Sequence, residues 1–458
     1  MKKFFSLFVL FLLAFIFVSC SQPANDQYSL EIWTYYNGKT QSSFEKIIDD
    51  YNNTRGKEKG IVVSSLSKGS QVSDLLKALL DSAKGKVGSE EMPDIFLAYP
   101  DCAFELDGYN KIASIDSYFS QEELKNFNEG YLNEGKFYND NSLKILPVAK
   151  STEALYINKT DFDLFLNTYP ELNISYNDFN TIEGIINIAE VYYNKTGKAF
   201  FGRDSLDNYF VIGAKQLGID ILHYSNDTFG INFDKEVFKK LWESYYVPYV
   251  KGYFSDAGKY RSDALKSGDI LCYIGSTSSA KYFPNKVIDS ETNTHNIEAE
   301  IMPAPIFEGK EKYAVSQGAG FCVTKSDNNR EKACIDFLKW LCNKENINSF
   351  AELSGYFPST KDGLSSDFIS TIEDSYMKKN FEVCKQTLEE YKMYTNIVGA
   401  NGTNYRNALR DYLANTSKEA RNNVVNKGSA KEVINEYTSN EKFEEWFTEL
   451  KKTIEANF

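Results

Sequence analysis

The sequence predicts an α/β fold: two interleaved lobes with parallel-rich sheets around a cleft. Three observations carry this. Apolar patterning over the first hundred residues alternates between strand and helix periods, as in a parallel sheet with crossover helices. At 458 residues the chain is too long for one compact core. No internal repeat and no long linker divides it, so the chain is expected to cross between the lobes more than once.

The elements follow in order. Lys2 and Lys3 precede an apolar run over 4–18 that is broken only by Ser6, and Ser19 stands before Cys20. A basic start, an apolar middle and a small residue before the cut read as a secretory signal. The run is short for a span, which needs about 20 residues. Ser19-Cys20 resembles a bacterial lipobox, with Phe17 where leucine is usual. That resemblance implies release of residues 1–19, lipidation of Cys20 and a polar tether over 20–27. Tyr28, Leu30 and Ile32 alternate with polar neighbours as a strand does. Phe44, Ile47, Ile48 and Tyr51 fall on one helix face. Ile61-Val62-Val63 is a second strand. Val72, Leu75, Leu76, Leu79 and Leu80 form a second helix stripe, with Ser70 as its cap. Ile95-Phe96-Leu97-Ala98 is a third strand. Ligands in such sheets bind beyond the carboxyl ends of the strands. Residues 33–36 and 99–101 therefore fall at the functional edge. Further strands are expected over 143–148, 154–157, 271–274 and 299–302, and helices over 181–195 and 331–342. Beyond residue 342 the chain reads as mostly helical.

Composition narrows the function. The chain is 42% apolar and 15% aromatic, as a globular body is. Its net charge is −13, and two units more negative without Lys2 and Lys3. Such acidity argues against nucleic acid and against a basic membrane-surface patch. Seven cysteines are scattered without a CxxC pair, so neither a zinc site nor a disulfide scaffold is expected. They read as small buried apolar residues, with one disulfide left open. Only His223 and His295 are present, with no HExxH or GxSxG motif. Gly38-Lys39-Thr40 matches only the end of a P-loop, because Trp33 stands where its first glycine belongs.

Five segments, in order, resemble the extracellular solute-binding proteins of ATP-binding-cassette (ABC) importers, in the carbohydrate and glycerol-phosphate cluster. They are Leu30-Glu31-Ile32-Trp33, Met92-Pro93-Asp94-Ile95-Phe96, the stretch from Leu146-Pro147-Val148 to Lys159, the stretch from Leu265 to Ser276, and Ser354-Gly355-Tyr356-Phe357-Pro358-Ser359. The resemblance implies a periplasmic-binding-protein-like fold of type II. Residues 28–148 and 302–340 would form one lobe, and 149–301 and 341–458 the other. It also implies a receptor that captures a sugar or oligosaccharide by hinge closure and delivers it to a membrane permease. Glycerol-phosphate-binding members hold phosphate with an arginine near the C-terminal part. The matching stretch here, 395–399, has none, although Arg406 follows. A glycerol 3-phosphate or glycerophosphodiester receptor stays open as an alternative, as do a surface adhesin and a secreted glycosidase.

A sugar site needs aromatic platforms and fixed hydrogen-bonding groups. Trp33, Tyr35 and Tyr36 would stack on the ligand from the first lobe, although strand alternation turns at most one of the two tyrosines toward it. Asp101 would accept from paired hydroxyls. Ser151 and Glu153 would face the cleft at the crossing, and Ser276 and Thr277 would follow a strand end in the second lobe. Gly318 would let backbone approach the ligand, and Tyr356 would offer a ring and a hydroxyl. Arg203 or Arg406 would clamp an acidic or hydroxyl-rich ligand. The expected partners are a small-molecule ligand, the permease and, through Cys20, a membrane. The expected setting is the cell envelope, facing the periplasm or the outside, with the protein a monomer. No catalysis, metal or cofactor is expected.

Overall fold

The computed structural model describes residues 27–69, 72–137, 141–225, 228–289, 294–395, 399 and 402–457. The leader, Cys20, Ser70 and most of 395–399 lie outside them. None of the described helices is long and apolar enough to cross a membrane.

Two four-stranded sheets organise the chain. In the first, Tyr28–Thr34 pairs in parallel with Ile61–Ser67 on one side and Ile95–Ala98 on the other. Gly320–Val323 returns from late in the chain and closes the far edge antiparallel to Ile95–Ala98. The helix Gly38–Tyr51 buries Phe44, Ile47, Ile48 and Tyr51, the four residues whose spacing predicts it. The helix Asn328–Leu341 adds Phe337, Leu338 and Leu341 to the same core.

The second sheet has the order Ala299–Pro303, Glu153–Asn158, Cys272–Ser276, Phe201–Arg203. Every residue of Glu153–Asn158 is buried, so this strand is covered on both faces. Here parallel pairing is limited to Phe201–Arg203 with Cys272–Ser276, and the other two pairings are antiparallel. The reason is directional. Glu153–Asn158 leads away from the crossing, and Cys272–Ser276 and Ala299–Pro303 run back toward it. The C-terminal helices Gly402–Asn426 and Asn440–Asn457 complete this core with Leu409, Leu413, Val424, Phe443 and Leu450.

The expected strand over 143–148 does not form. It is reduced to single bridges, Lys136 with Leu143 and Leu146 with Phe321. Pro147 has no N–H to extend the ladder. The lobe crossings also differ from the sequence reading. Phe307 and Val315 pack in the second core, whereas Leu341, Ile347 and Phe350 pack in the first. The chain thus leaves the second lobe near 316–318, not at 302. Pro303-Ala304-Pro305 ends a strand but not the lobe, because Phe307 beyond it is buried there. A smaller core around Tyr131, Phe357, Phe368 and Phe381 joins residues 351–384 to the crossing.

At the crossing Ala149–Lys150 pairs antiparallel with Phe357–Pro358, and Ser151 and Gln317 exchange backbone hydrogen bonds of 3.0 Å. The Lys150 ammonium is buried here, 2.9 Å from Glu134 and 2.5 Å from the Gly318 carbonyl. Ser316 donates its hydroxyl to the same Glu134 carboxylate. The six described cysteines are free thiols, and all but half-buried Cys342 are buried.

Candidate functional site

A cavity of about 980 Å³ opens between the lobes. The first lobe contributes Tyr35, Tyr36, Asn37 and Thr40. The second contributes Asp204, Tyr260, Ser262, Asp263, Lys266 and residues 278–279 and 281–286. Ser354, Tyr356, Asp374 and Tyr376 come from the segment that follows the first core. Strand ends build these walls. Tyr28–Thr34 stops at Thr34, and the next two residues enter the cleft beyond its carboxyl end. Cys272–Ser276 stops at Ser276, whose hydroxyl accepts from the Ser278 N–H at 3.3 Å and starts the 3-10 turn Thr277–Tyr282.

Aromatic rings dominate both walls. Tyr35 meets Tyr36 edge-on at 5.5 Å and stacks on Tyr99 at 6.4 Å. Tyr36 leans on Phe44 at 5.5 Å and on Tyr356 at 6.3 Å. Burial pushes the phenols of Tyr35, Tyr36 and Tyr356 up, so they stay neutral donors. On the second lobe Tyr260 and Tyr282 keep 53% and 63% of their surface exposed. Such large exposed rings on a cavity wall suit stacking against a sugar face.

Charge on the walls is uneven. Each lining carboxylate already has a partner. Asp204 accepts from the Arg261 N–H at 3.2 Å, Asp263 from the Tyr260 N–H at 3.1 Å and Asp374 from the Met377 N–H at 2.9 Å. Lys281 donates to the Ser354 carbonyl at 3.0 Å and to Thr40 Oγ1 at 3.5 Å. Among the described residues no carboxylate stands within ion-pair reach of it. Burial, and then the neighbouring Lys39, lower its pKa.

Tyr35, Tyr36 and Tyr356 are the sequence-predicted residues that line the cavity. Both Tyr35 and Tyr36 do so because the pleat ends before them. The other candidates stand elsewhere. Trp33 is 1% exposed in the first core. Its indole donates to Glu31 at 2.5 Å, under the Lys68 ammonium at 3.8 Å. Asp101 sits in the first turn of Pro100–Asp107 and accepts from Thr403 Oγ1 at 3.3 Å. Burial raises its pKa against the pull of Arg406. Ser151 is buried in the crossing ladder. Glu153 is buried and ion-paired with Arg203, and accepts from the Asn208 amide at 3.1 Å. Arg406 is held by Asp207 at 2.5 Å and Asn208 at 3.0 Å. Neither arginine is a free clamp, because each already faces a carboxylate. Ser276 is a cap, and Thr277 is fully buried with Oγ1 accepting from the Thr152 N–H at 3.0 Å. Gly318 turns the chain at φ +94°, where an added Cβ would meet the Ala149 carbonyl at 3.3 Å.

Sequence reasoning missed Thr40, Tyr260, Lys281, Tyr282 and Tyr376. For two of them a signal existed. The polar loop that begins at Gly275 continues through Lys281-Tyr282, in line with a strand end. A second groove, of about 480 Å³, lies on the C-terminal helices between Asn404 and Thr453.

Solved structures share this architecture. The cyclic alpha-maltosyl-1,6-maltose binding protein from Arthrobacter globiformis is 14% identical, covering 94% of this chain and 98% of that one at a TM-score of 0.67. UgpB from Mycobacterium tuberculosis, in complex with glycerophosphocholine, is 14% identical over 93% and 98% at 0.65. The maltose/maltodextrin-binding domain MalE from Bdellovibrio bacteriovorus, bound to maltotriose, is 12% identical over 94% and 99% at 0.62. At such identities the likeness is one of fold. No curated protein matches the sequence. The profile of the bacterial extracellular solute-binding protein family, however, matches residues 46–374. That is well over half of the chain, which therefore belongs to the bacterial extracellular solute-binding proteins.

Proposed function

We propose that this protein is the receptor of an ABC importer, and that it captures a sugar or oligosaccharide between its lobes and delivers it to the permease. One observation carries the reading: tyrosines face the same cavity from both lobes, Tyr35, Tyr36 and Tyr356 against Tyr260 and Tyr282. A ring held between such walls buries its apolar faces, and the hydroxyls and amides at the rim take its edges. Ligand on one wall favours the state in which the second wall closes over it. The protein makes and breaks no bond in this scheme. Turnover of chromogenic glycosides that vanished on carboxylate substitution would contradict that.

We assign ligand contact to those five tyrosines and to Lys281. The Cys20 lipid would hold the mature protein, a monomer, at a membrane, and Cys20→Ala should release it from the membrane fraction. The capture reading is tested by a thermal-shift panel on residues 21–458. The panel holds neutral mono- and oligosaccharides, polyols, glycerol 3-phosphate and its diesters. A ligand that binds only the folded state adds about 2.7 kcal/mol at a hundredfold excess over its Kd. A shift with one member is expected. Silence across the panel would contradict the reading and favour an adhesin.

A further inference from the structure

We propose that the solute carries an acidic group, a carboxylate or a phosphate, and that Lys281 receives it. This rests on the cavity being the solute site. The geometry is specific to one corner. Lys281 belongs to the turn that follows Cys272–Ser276, and its ammonium reaches across the seam to Ser354 and Thr40. Both of those acceptors are neutral. The lining carboxylates Asp204, Asp263 and Asp374 are each tied to a backbone N–H and face no lining lysine as an ion-pair partner. Lys266 and Lys286 stand on the same wall, also without an ion-pair partner among the described residues.

A cation drawn partly out of water without a counter-charge is disfavoured unless something supplies one. In a chain with net charge −13 carboxylates are plentiful, yet among the described residues none pairs with Lys281. The helix Gly38–Tyr51 adds the same sign. It begins at Asn37, on the cavity wall, with no side-chain cap and no acidic residue in its first turn. An oxyanion would complement this corner, and the adjacent rings Tyr36, Tyr282 and Tyr356 would meet the apolar faces of a carbohydrate. Arg203 and Arg406 do not compete for the anion, because Glu153 and Asp207 already occupy them.

Titration calorimetry on residues 21–458 with matched pairs tests this. The pairs are glucose with glucuronate, galactose with galacturonate, glucose with glucose 6-phosphate, and glycerol with glycerol 3-phosphate. In at least one pair the acidic member should bind about tenfold tighter or more, as a charged hydrogen bond does. That preference should weaken with added salt. The uronate and phosphate arms tell which acid it is. Lys281→Met should bring the ratio within the pair close to one. Lys281→Arg keeps the charge and should keep the preference, and a melting curve of each variant separates lost binding from lost fold. Neutral members binding as tightly as acidic ones would overturn the proposal and leave the capture reading standing. A preference that survives in folded Lys281→Met would overturn the role of Lys281. Binding by no member of any pair, with a neutral oligosaccharide or polyol bound in the wider panel, would overturn the acidic-solute proposal and leave the capture reading standing.

Discussion

Tyr282 and Trp33 show how burial divides the aromatics between the cavity wall and the core. Tyr282 is exposed on the cavity wall, with the Lys281 ammonium 5.5 Å from its ring. Tyr282→Ala should leave the melting curve within about 0.5 kcal/mol of the parent, as surface changes do. It should weaken the ligand by about 1–3 kcal/mol in calorimetry. Trp33 is buried with its indole hydrogen-bonded to Glu31. Trp33→Ala should therefore cost about 3–5 kcal/mol in denaturant unfolding. The sequence places both Trp33 and Tyr35 near a strand end, but it does not show where the pleat stops. That boundary alone sends Tyr35 into the cleft and Trp33 into the core. Arg203 and Arg406 were illegible for another reason. Glu153 lies 50 residues from Arg203 and Asp207 lies 199 from Arg406, and no local pattern announces partners at such distances.

Among the elements, the crossing concentrates the polar interior. Lys150 and Glu134 form a buried pair, with Lys150 also donating to the Gly318 carbonyl and Glu134 also accepting from Ser316. Breaking one side leaves the other charge stranded, so Lys150→Met or Glu134→Gln should each cost about 3–5 kcal/mol. Replacing both together should recover much of that loss, and denaturant unfolding of the three variants checks it. Gly318→Ala places a side chain at φ +94° against the Ala149 carbonyl. It should destabilise by more than about 1 kcal/mol, read from the same unfolding curves. The early strands and helices were legible because their apolar residues keep clean periods of two and 3.6, as in Leu30 and Ile32 or Phe44, Ile47, Ile48 and Tyr51. The run 143–148 is as apolar as a strand, but Pro147 interrupts its ladder. The lobe boundary that the resemblance implies at 302 coincides with a strand end, yet the burial of Phe307 keeps the chain in the second lobe.

For the whole molecule, interleaving matters more than any single contact. Each lobe has its own core, and the segments at 149–152, 316–318 and 357–360 join them. Three strands of chain through one seam allow the lobes to swing while each core stays intact. Small-angle scattering should then show a smaller radius of gyration when ligand is added to the open form, and a radius that never changes with saturating ligand would argue against closure. The two-lobed α/β architecture was legible from length, the strand-helix alternation and the order of five short segments. The chemistry of the cleft was not, because its walls assemble residues as distant in sequence as Tyr36, Lys281 and Tyr376. The most direct measurement is a crystal structure of residues 21–458 with the tightest ligand from the panel. Ligand density is expected in the cavity between the lobes, touching Tyr36 and Tyr282 from opposite walls. Density in the groove between Asn404 and Thr453, with the cavity between the lobes left to solvent, would contradict it.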